Sequence, residues 1–162
     1  MVQVRRAVPE DAAELVRLRG VMLAGLTGVD PAPGPWQHAA ELFLRTELAR
    51  SAGPVAACVV DRPAGTGGLA ACAVGKIEQR LPSPDNPSGL AGYVYNVATD
   101  PDQRRRGYSR ACVEGLLGWF RQRGVVKVDL RASAAGEPLY RALGFARTPD
   151  PAMRLRLDPY PG

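Results

Sequence analysis

Histidine and paired cysteines are scarce in this chain, which narrows the chemistry it can perform. The sequence has one histidine, His38, and three cysteines that form no CxxC pair. A metal centre or a Ser-His-Asp triad would depend on that single histidine, which has no partner at ligand spacing. Cys58, Cys72 and Cys112 each lie in an apolar run, so we expect buried, reduced thiols. We therefore expect no bound metal and no triad nucleophile.

Long apolar runs are also missing. The longest stay below ten residues, as at 54–60, whereas a membrane-spanning helix needs about 20. The opening sequence MVQVRR has no apolar segment of the kind that a secretory signal contains. These absences predict a cytoplasmic protein that has no membrane partner.

Lysine is rare, and arginine supplies almost all of the positive charge. Only Lys76 and Lys127 are lysines among 21 basic residues, and the net charge is +5. Such a bias, with abundant alanine, glycine and proline, is typical of a GC-rich genome rather than of a nucleic-acid-binding surface. The arginines are not interleaved with exposed aromatics, and no helix-turn-helix pattern is present. We expect no nucleic-acid partner, although a basic chain favours small anions.

The remaining composition is that of a globular domain with helices and strands. With 162 residues, 46% of them hydrophobic, the chain is expected to form a single domain over residues 1–162. Alternation with period 2 and short apolar runs predict strands, while 3.6-residue spacing predicts helices. The predicted strands cover 3–6, 55–61, 69–77, 92–99, 125–130 and 153–157; the predicted helices are one that begins at Pro9 and three over 36–50, 108–123 and 138–143.

This order of elements predicts an α/β fold of the mixed type, with a mostly antiparallel central sheet. A glycine-rich hairpin loop at 62–68 joins the strands at 55–61 and 69–77. The strand at 92–99, the following helix and the strand at 125–130 form a βαβ unit. The two strands of such a unit should be parallel.

The segment that enters the helix of this βαβ unit is the most informative part of the chain. It has the sequence DPDQRRRG at 100–107. A helix N-terminus presents free backbone N–H groups and the positive end of the helix dipole, and both attract anions. Gly107 lets the backbone approach a phosphate, and three arginines supply bidentate donors. The pattern favours a pyrophosphate-binding turn over the alternative, a solvated basic loop.

Two motifs in this half of the chain are similar to those of the GNAT N-acetyltransferase superfamily. The sequence RRRGYS at 104–109, preceded by NVATDP at 96–101, resembles the family's motif A, with Ser109 where glycine or alanine is usual. The sequences VDLRAS at 128–133 and LYRALGF at 139–145 resemble motif B, with Ser133 where asparagine is common. The resemblance implies the GNAT fold, in which helices cover both faces of the sheet and two parallel strands splay apart.

The resemblance also implies acetyl-CoA as the cosubstrate. A bulge in the strand at 92–99 would leave backbone groups unpaired, and pantetheine would bond to that edge like an added strand. A backbone N–H there would polarise the thioester carbonyl. The residues expected to bind acetyl-CoA are Val97, Ala98, Thr99, Arg104, Arg105, Arg106, Gly107, Tyr108, Ser109, Arg110 and Ser133.

One catalytic residue follows from the same resemblance. Tyr140 lies where the family has its general acid, so we expect it to donate a hydrogen bond to the thiolate leaving group. Deprotonating a lysine-like amine at pH 7 costs about 4.6 kcal/mol, so a general base or a lowered amine pKa is required. Glu78, Glu41 and Glu47 are candidate bases, although the pattern favours a solvated surface acid over a base at each position.

The motifs leave the acetyl acceptor open as a small-molecule or peptide amine. Tyr93 and Tyr95 lie on the strand beside the thioester, and we expect one on each face of the sheet. Trp36 and His38 are candidates for lining the acceptor pocket. A non-catalytic acyl-CoA-binding sensor of the same fold is the alternative function, and a homodimer is left open.

Overall fold

The computed structural model describes residues 1–64 and 66–159, over which it forms five strands and four α-helices. In chain order these are β1 Arg5–Arg6, α1 Ala12–Thr27, α2 Pro35–Leu48, β2 Val55–Asp61, β3 Leu69–Gln79, β4 Leu90–Thr99, α3 Tyr108–Gln122, β5 Val128–Leu130 and α4 Glu137–Ala142. Short 3-10 turns at Pro9–Asp11 and Pro101–Gln103 precede α1 and α3. Gly65 of the predicted loop at 62–68, and residues 160–162 of the predicted single domain, lie outside the described residues.

The five strands form one sheet in the order β1-β2-β3-β4-β5. The first three pairings are antiparallel, and β4 pairs with β5 in parallel. The mixed, mostly antiparallel sheet and its parallel βαβ unit are therefore confirmed. Parallel pairing requires a long crossover, which α3 supplies.

Helices cover both faces of this sheet, as expected. On one face, α1 and α2 bury a cluster that includes Leu15, Leu18 and Val59. On the other, α3 packs through residues at helical spacing, among them Leu116 and Phe120. Because β2 and β3 are covered on both sides, they are almost continuously buried, which explains their apolar runs.

Two glycines let α3 lie close to the sheet. Gly75 on β3 and Gly92 on β4 lie beneath the ring of Phe120, and a Cβ added at either would come within 2.9 Å of a ring carbon. Real Cβ atoms essentially never make contacts that short, so alanine at either position would force Phe120 or α3 to shift. The packing of Phe120 on the sheet therefore depends on the absence of a Cβ at both positions.

The predicted strand at 153–157 is wrong. Residues 151–159 have no helix or strand assignment, and Met153, Leu155 and Leu157 are 87%, 82% and 82% exposed. Alternation specifies a strand only where a second surface covers its apolar side, and no described strand pairs with this segment. The strand predicted at 125–130 is also shorter than expected, since only Val128–Leu130 pairs with β4.

The three cysteines are free and buried, as expected. Burial raises the pKa of Cys72 to about 12, so its thiol stays protonated at neutral pH and is a poor nucleophile. In the part of the chain that the structure describes, no helix is long and apolar enough to cross a membrane.

Candidate functional site

The site begins where β4 and β5 separate. The two strands pair from Gly92 with Val128 to Val94 with Leu130, and then β5 ends. From Tyr95 to Thr99, β4 therefore pairs with β3 alone, and its other edge is unpaired. The predicted splay between the two parallel strands is present at this point.

A bulge in β4 coincides with the separation. Ala73 pairs with Val97 and Val74 pairs with Tyr95, so Asn96 is an extra residue on β4. Its φ is 68°, a left-handed conformation that asparagine tolerates better than most residues. The bulge expected in this strand is confirmed.

The side chains of β4 follow simple alternation before the bulge and depart from it at the extra residue, Asn96. Tyr93 and Tyr95 lie on the same face, with ring centroids 6.3 Å apart, so placing one on each face was wrong. Residues two apart on a strand share a face. Because Asn96 is the extra residue, both Tyr95 and Asn96 face α1 and α2, while Val97 packs with the cluster under α3.

The N-terminus of α3 has free donors beside this edge. Its first backbone hydrogen bond runs from Ala111 N–H to the Gly107 carbonyl at 3.0 Å, and no side chain caps the helix. The N–H groups of Tyr108, Ser109 and Arg110 therefore have no partner within the helix. Gly107 has a φ of 77° and open space where a Cβ would lie, so the turn needs glycine for its conformation.

A hydroxyl pair ties this helix end to β4. Ser109 Oγ lies 2.6 Å from Thr99 Oγ1. The hydroxyl of Ser109 thus bonds to the end of the strand, and its small size keeps the first turn of α3 close to β4.

A groove of about 490 Å³ runs along these elements. We call it the bulge groove. It is lined by Val21, Met22, Gly25, Leu26, Val97, Ala98, Thr99, Gln103, Arg104, Arg105, Gly107, Tyr108, Ser109, Ser133, Ala135, Gly136, Leu139 and Tyr140. The structure therefore brings together nine of the eleven residues expected to bind acetyl-CoA, and the expected acid.

The two exceptions are arginines. Arg106 lines a different cavity, next to residues of the N-terminal segment. Arg110 points along α3 and donates to Glu114 Oε1 at 3.0 Å. By contrast, Arg104 and Arg105 line the groove, are exposed, and have no ion pair with any residue in 1–64 or 66–159.

The sequence analysis assigned no role to two parts of this groove. One is the C-terminal half of α1, which contributes Val21, Met22 and Leu26; helical spacing gives an apolar stripe but not the element that it covers. The other is Gln103, which is 7% exposed and has a buried Oε1 without a hydrogen-bond partner. An unpaired buried acceptor that lines a groove is a signal only a structure provides.

Tyr140 stands at the far end of the groove, on α4. Its ring packs edge-on against Phe145, with centroids 5.9 Å apart. A Cβ added at Gly136 would lie 3.1 Å from the ring, so glycine there leaves room for the tyrosine. Burial raises the pKa of Tyr140, and the phenol therefore keeps its proton.

A buried carboxylate anchors the turn from below. The Asp100 side chain is 3% exposed and accepts from Arg17 at 2.7 and 2.9 Å and from Arg62 at 2.6 Å. Burial alone would raise the pKa of Asp100, but the hydrogen bonds from both arginines outweigh it and hold the pKa below its ordinary value. Asp100 thereby joins α1 and the β2–β3 loop to the end of β4.

A second cavity, of about 220 Å³, lies on the α1 and α2 side of the bulge. We call it the Asn96 pocket. It is lined by Leu15, Arg19, Ala40, Phe43, Leu44, Val74, Tyr95 and Asn96. Neither Trp36 nor His38 lines it, although both were candidates for an acceptor pocket.

A third cavity, of about 620 Å³, lies beyond Tyr140, between β5, α4 and the chain that follows. Its carboxylates are engaged: Asp129 accepts from Arg80 at 3.1 Å, and Glu137 pairs with Arg141 and Arg147.

None of the three candidate bases lines the bulge groove or the Asn96 pocket. Glu41 pairs with Arg45 on α2, Glu47 pairs with Arg50 just beyond the end of α2, and Glu78 pairs with Lys76 and Arg80. Glu41 and Glu78 have the surroundings of surface acids. The Glu47 side chain is only 17% exposed, and its charge adds to the rise that burial causes in the pKa of Tyr95.

Comparison with known proteins agrees with this geometry. The model of the acetyltransferase (GNAT) family matches residues 27–145. The [Ribosomal protein bS18]-alanine N-acetyltransferase of Escherichia coli (strain K12) is 44% identical over 55 residues, which are 32% of this chain and 37% of that protein. The chain thus matches little more than a third of the length of this curated relative.

Solved structures show the same architecture. A predicted acetyltransferase from Clostridium acetobutylicum, solved with acetyl-CoA, has a TM-score of 0.79 at 24% identity, covering 98% of this chain and 96% of that one. The glucosamine-6-phosphate N-acetyltransferase of Arabidopsis thaliana has a TM-score of 0.75 at 20% identity, covering 98% and 99%. The fold is therefore shared with these acetyltransferase structures. This chain belongs to the GNAT acetyltransferase family.

Proposed function

We propose that this chain transfers the acetyl group of acetyl-CoA to the amine of an acceptor, by direct attack within a ternary complex. The observation that carries the proposal is one continuous groove that runs from the unpaired edge of β4, past the N-terminus of α3, to Tyr140. Membership of the GNAT family supports the same donor. The groove offers a different set of residues to each part of acetyl-CoA.

The residues of the groove fit acetyl-CoA. The free N–H groups of α3, with Arg104 and Arg105, offer donors to a pyrophosphate. The unpaired edge at 97–99 offers backbone groups to the amides of pantetheine, as an added strand would use them. The orphaned Oε1 of Gln103 offers an acceptor to an N–H or O–H of the same ligand.

Tyr140 completes the chemistry. In the reaction the amine nitrogen bonds to the acetyl carbon, the C–S bond breaks, the amine loses a proton and the sulfur gains one. Proton transfer from tyrosine to a thiolate is uphill by about 2 kcal/mol on reference pKa values, and the raised pKa of Tyr140 adds to this. Tyr140 therefore donates a hydrogen bond to the sulfur, and transfer of its proton accompanies C–S cleavage.

The curated relative suggests which acceptor to test first. Its name states that it acetylates an alanine of a ribosomal protein. An α-amine, either free or at a peptide N-terminus, is therefore the first acceptor class to examine.

Acetyl-CoA binding tests the donor side of the proposal. At 100 times its Kd, acetyl-CoA should add about 2.7 kcal/mol to the free energy of unfolding, which is several degrees in Tm for a chain of this size. Differential scanning fluorimetry measures the shift. The absence of any shift at millimolar acetyl-CoA would remove the proposal.

The Tyr140→Phe variant tests the acid. We expect kcat to fall about 100-fold, with no change in the affinity for acetyl-CoA, because phenylalanine keeps the ring and loses only the hydroxyl. Release of CoA in the presence of amines gives the rate. Tyr93→Phe is the matched control, since Tyr93 lines neither the bulge groove nor the Asn96 pocket. Binding of acetyl-CoA without transfer to any amine would instead favour the acyl-CoA sensor.

A further inference from the structure

Two buried side-chain oxygens lack a hydrogen-bond partner among the described residues, and both belong to residues that line cavities at the bulge. They are Oε1 of Gln103, a residue of the bulge groove, and Oδ1 of Asn96, a residue of the Asn96 pocket. Asn96 is 8% exposed, and its amide nitrogen lies 3.7 Å from Cys72 Sγ. A buried acceptor without a donor is costly, so an N–H group that enters the pocket would be stabilised there.

The walls of the Asn96 pocket are apolar. Leu15, Phe43, Leu44 and Val74 are among its lining residues, and no carboxylate is among the described residues that line it. Arg19 is the one charged group in this lining, and it has no ion pair within the described ranges. The pocket therefore disfavours a polycation, and favours an apolar group that carries an oxygen for Arg19.

The pocket lies next to the place where acetyl transfer is proposed. Asn96 lines the pocket and the next residue, Val97, lines the bulge groove. Helix α1 borders both cavities, with Arg19 on the pocket and Met22 on the groove. A molecule in the pocket is thus one residue of β4 away from the edge proposed to hold the thioester.

We propose that the Asn96 pocket selects the acceptor, and that the acceptor is the α-amine of an apolar amino-acid residue. This rests on the proposed acetyl transfer. The apolar side chain occupies the pocket, the amine donates a hydrogen bond to Asn96 Oδ1, and the carbonyl or carboxylate oxygen meets Arg19. A free amino acid and a peptide N-terminus share these three groups.

The surroundings of the Asn96 pocket also affect deprotonation of the acceptor amine. Apolar walls and the charge of Arg19 disfavour an ammonium ion, whereas the charge of Glu47, which acts on Tyr95 in the pocket wall, favours one. Because Glu47 lies outside the lining, we expect the walls and Arg19 to dominate and to lower the pKa of a bound amine, and an α-amine is already less basic than the amine of lysine. The amine thus reaches its neutral form by losing its proton to water, without a carboxylate in the pocket.

An acceptor series tests the substrate class. The amides of leucine, phenylalanine, glycine and lysine are compared with free leucine, the peptide Leu-Gly-Gly and spermidine, and CoA release is measured at fixed acetyl-CoA. We expect kcat/KM for leucinamide or phenylalaninamide to exceed those for glycinamide, lysinamide and spermidine by about tenfold or more. Leucine and Leu-Gly-Gly distinguish the two sources of the amine. A preference for lysinamide or spermidine would overturn the proposal.

Two variants test the pocket itself. Ala40→Phe fills it from α2, and Ala39→Phe places the same ring on the neighbouring exposed position as a control. Asn96→Gly removes the amide while glycine accepts the positive φ of the bulge. We expect Ala40→Phe and Asn96→Gly each to raise the KM for the preferred apolar amine about tenfold, with the KM for acetyl-CoA unchanged.

The outcomes separate this proposal from the acetyl transfer on which it rests. An acetyl-CoA-dependent Tm shift with unchanged acceptor KM in both variants would overturn the pocket and leave the donor site intact, and would point to the cavity beyond Tyr140. Loss of the Tm shift in the wild type would instead remove the donor site. If Ala40→Phe does not fold, Asn96→Gly alone decides, because its backbone conformation is relieved rather than strained.

Discussion

Two pairs of arginines differ in their surroundings at the turn that joins β4 to α3. Arg17 and Arg62 converge on the buried carboxylate of Asp100. Arg104 and Arg105 are exposed and have no ion pair within residues 1–64 and 66–159. A guanidinium that is neutralised by a carboxylate holds the chain in place, whereas one without such a partner keeps its charge for a ligand. The same residue type thus stabilises the fold in one pair and, in our proposal, binds acetyl-CoA in the other.

Removing the shared carboxylate should have the largest effect. Asp100→Ala leaves two arginines without their buried partner, and we expect the free energy of unfolding to fall by about 3 kcal/mol, or about 6–12 °C in Tm. Chemical denaturation of the protein without ligand measures it. Asp102→Ala is the control, because that exposed carboxylate also binds Arg62, and it should cost much less. Equal losses in the two variants would show that burial of Asp100 is not what matters.

Neutralising the other pair should affect binding and leave the fold alone. For Arg104→Gln combined with Arg105→Gln, we expect acetyl-CoA to bind about 30-fold more weakly, since each lost charge-assisted contact is worth about 1 kcal/mol at an exposed site. The Tm without ligand should not change. Isothermal titration calorimetry gives the Kd.

Arg106 sharpens this comparison within a single turn. Arg106→Gln removes the same charge one residue further on, outside the bulge groove. Its effect on the Kd for acetyl-CoA should be clearly smaller than that of Arg104→Gln or of Arg105→Gln. If all three single variants weaken binding alike, long-range charge rather than contact in the groove determines affinity.

Lowering the pH should remove the contribution of the Asp100 carboxylate to stability. The native pKa of Asp100 is lowered, so its contribution to stability is fully present above the ordinary carboxyl pKa of about 4 and is lost as the pH falls below it. The difference in stability between the wild type and Asp100→Asn should therefore shrink below about pH 4. A difference that persists into stronger acid would assign the loss to packing rather than charge.

The arrangement of the residues proposed to bind acetyl-CoA was largely predictable from the sequence. Strand, turn and helix are consecutive there, so Gly107, Ser109 and Thr99 are brought together by local geometry. The direction of the Arg110 side chain could not be predicted from the sequence. Arg110 extends along α3 to Glu114 and does not line the groove.

The pocket proposed for the acceptor was not predictable, because it is assembled from distant elements. The Asn96 pocket joins α1, α2, β3 and β4, and periodicity gives no register between them. The expectation that Tyr93 and Tyr95 lie on opposite faces failed because residues two apart on a strand share a face. The extra residue Asn96 changes the alternation only from that point onward, and the sequence did not place it. The error at 153–157 has a similar cause, since alternation indicates an apolar side and not a partner for it.

The seat of Phe120 on Gly75 and Gly92 has a consequence for the other end of α3. Tyr108 lies 12 residues before Phe120 in the same helix, which is about 18 Å along its axis. The helix is rigid over that length, so a shift of α3 at Phe120 is carried to its N-terminus, where the free N–H groups lie. A methyl group added at position 92 is therefore expected to displace those N–H groups, although it would contact no residue that lines the bulge groove.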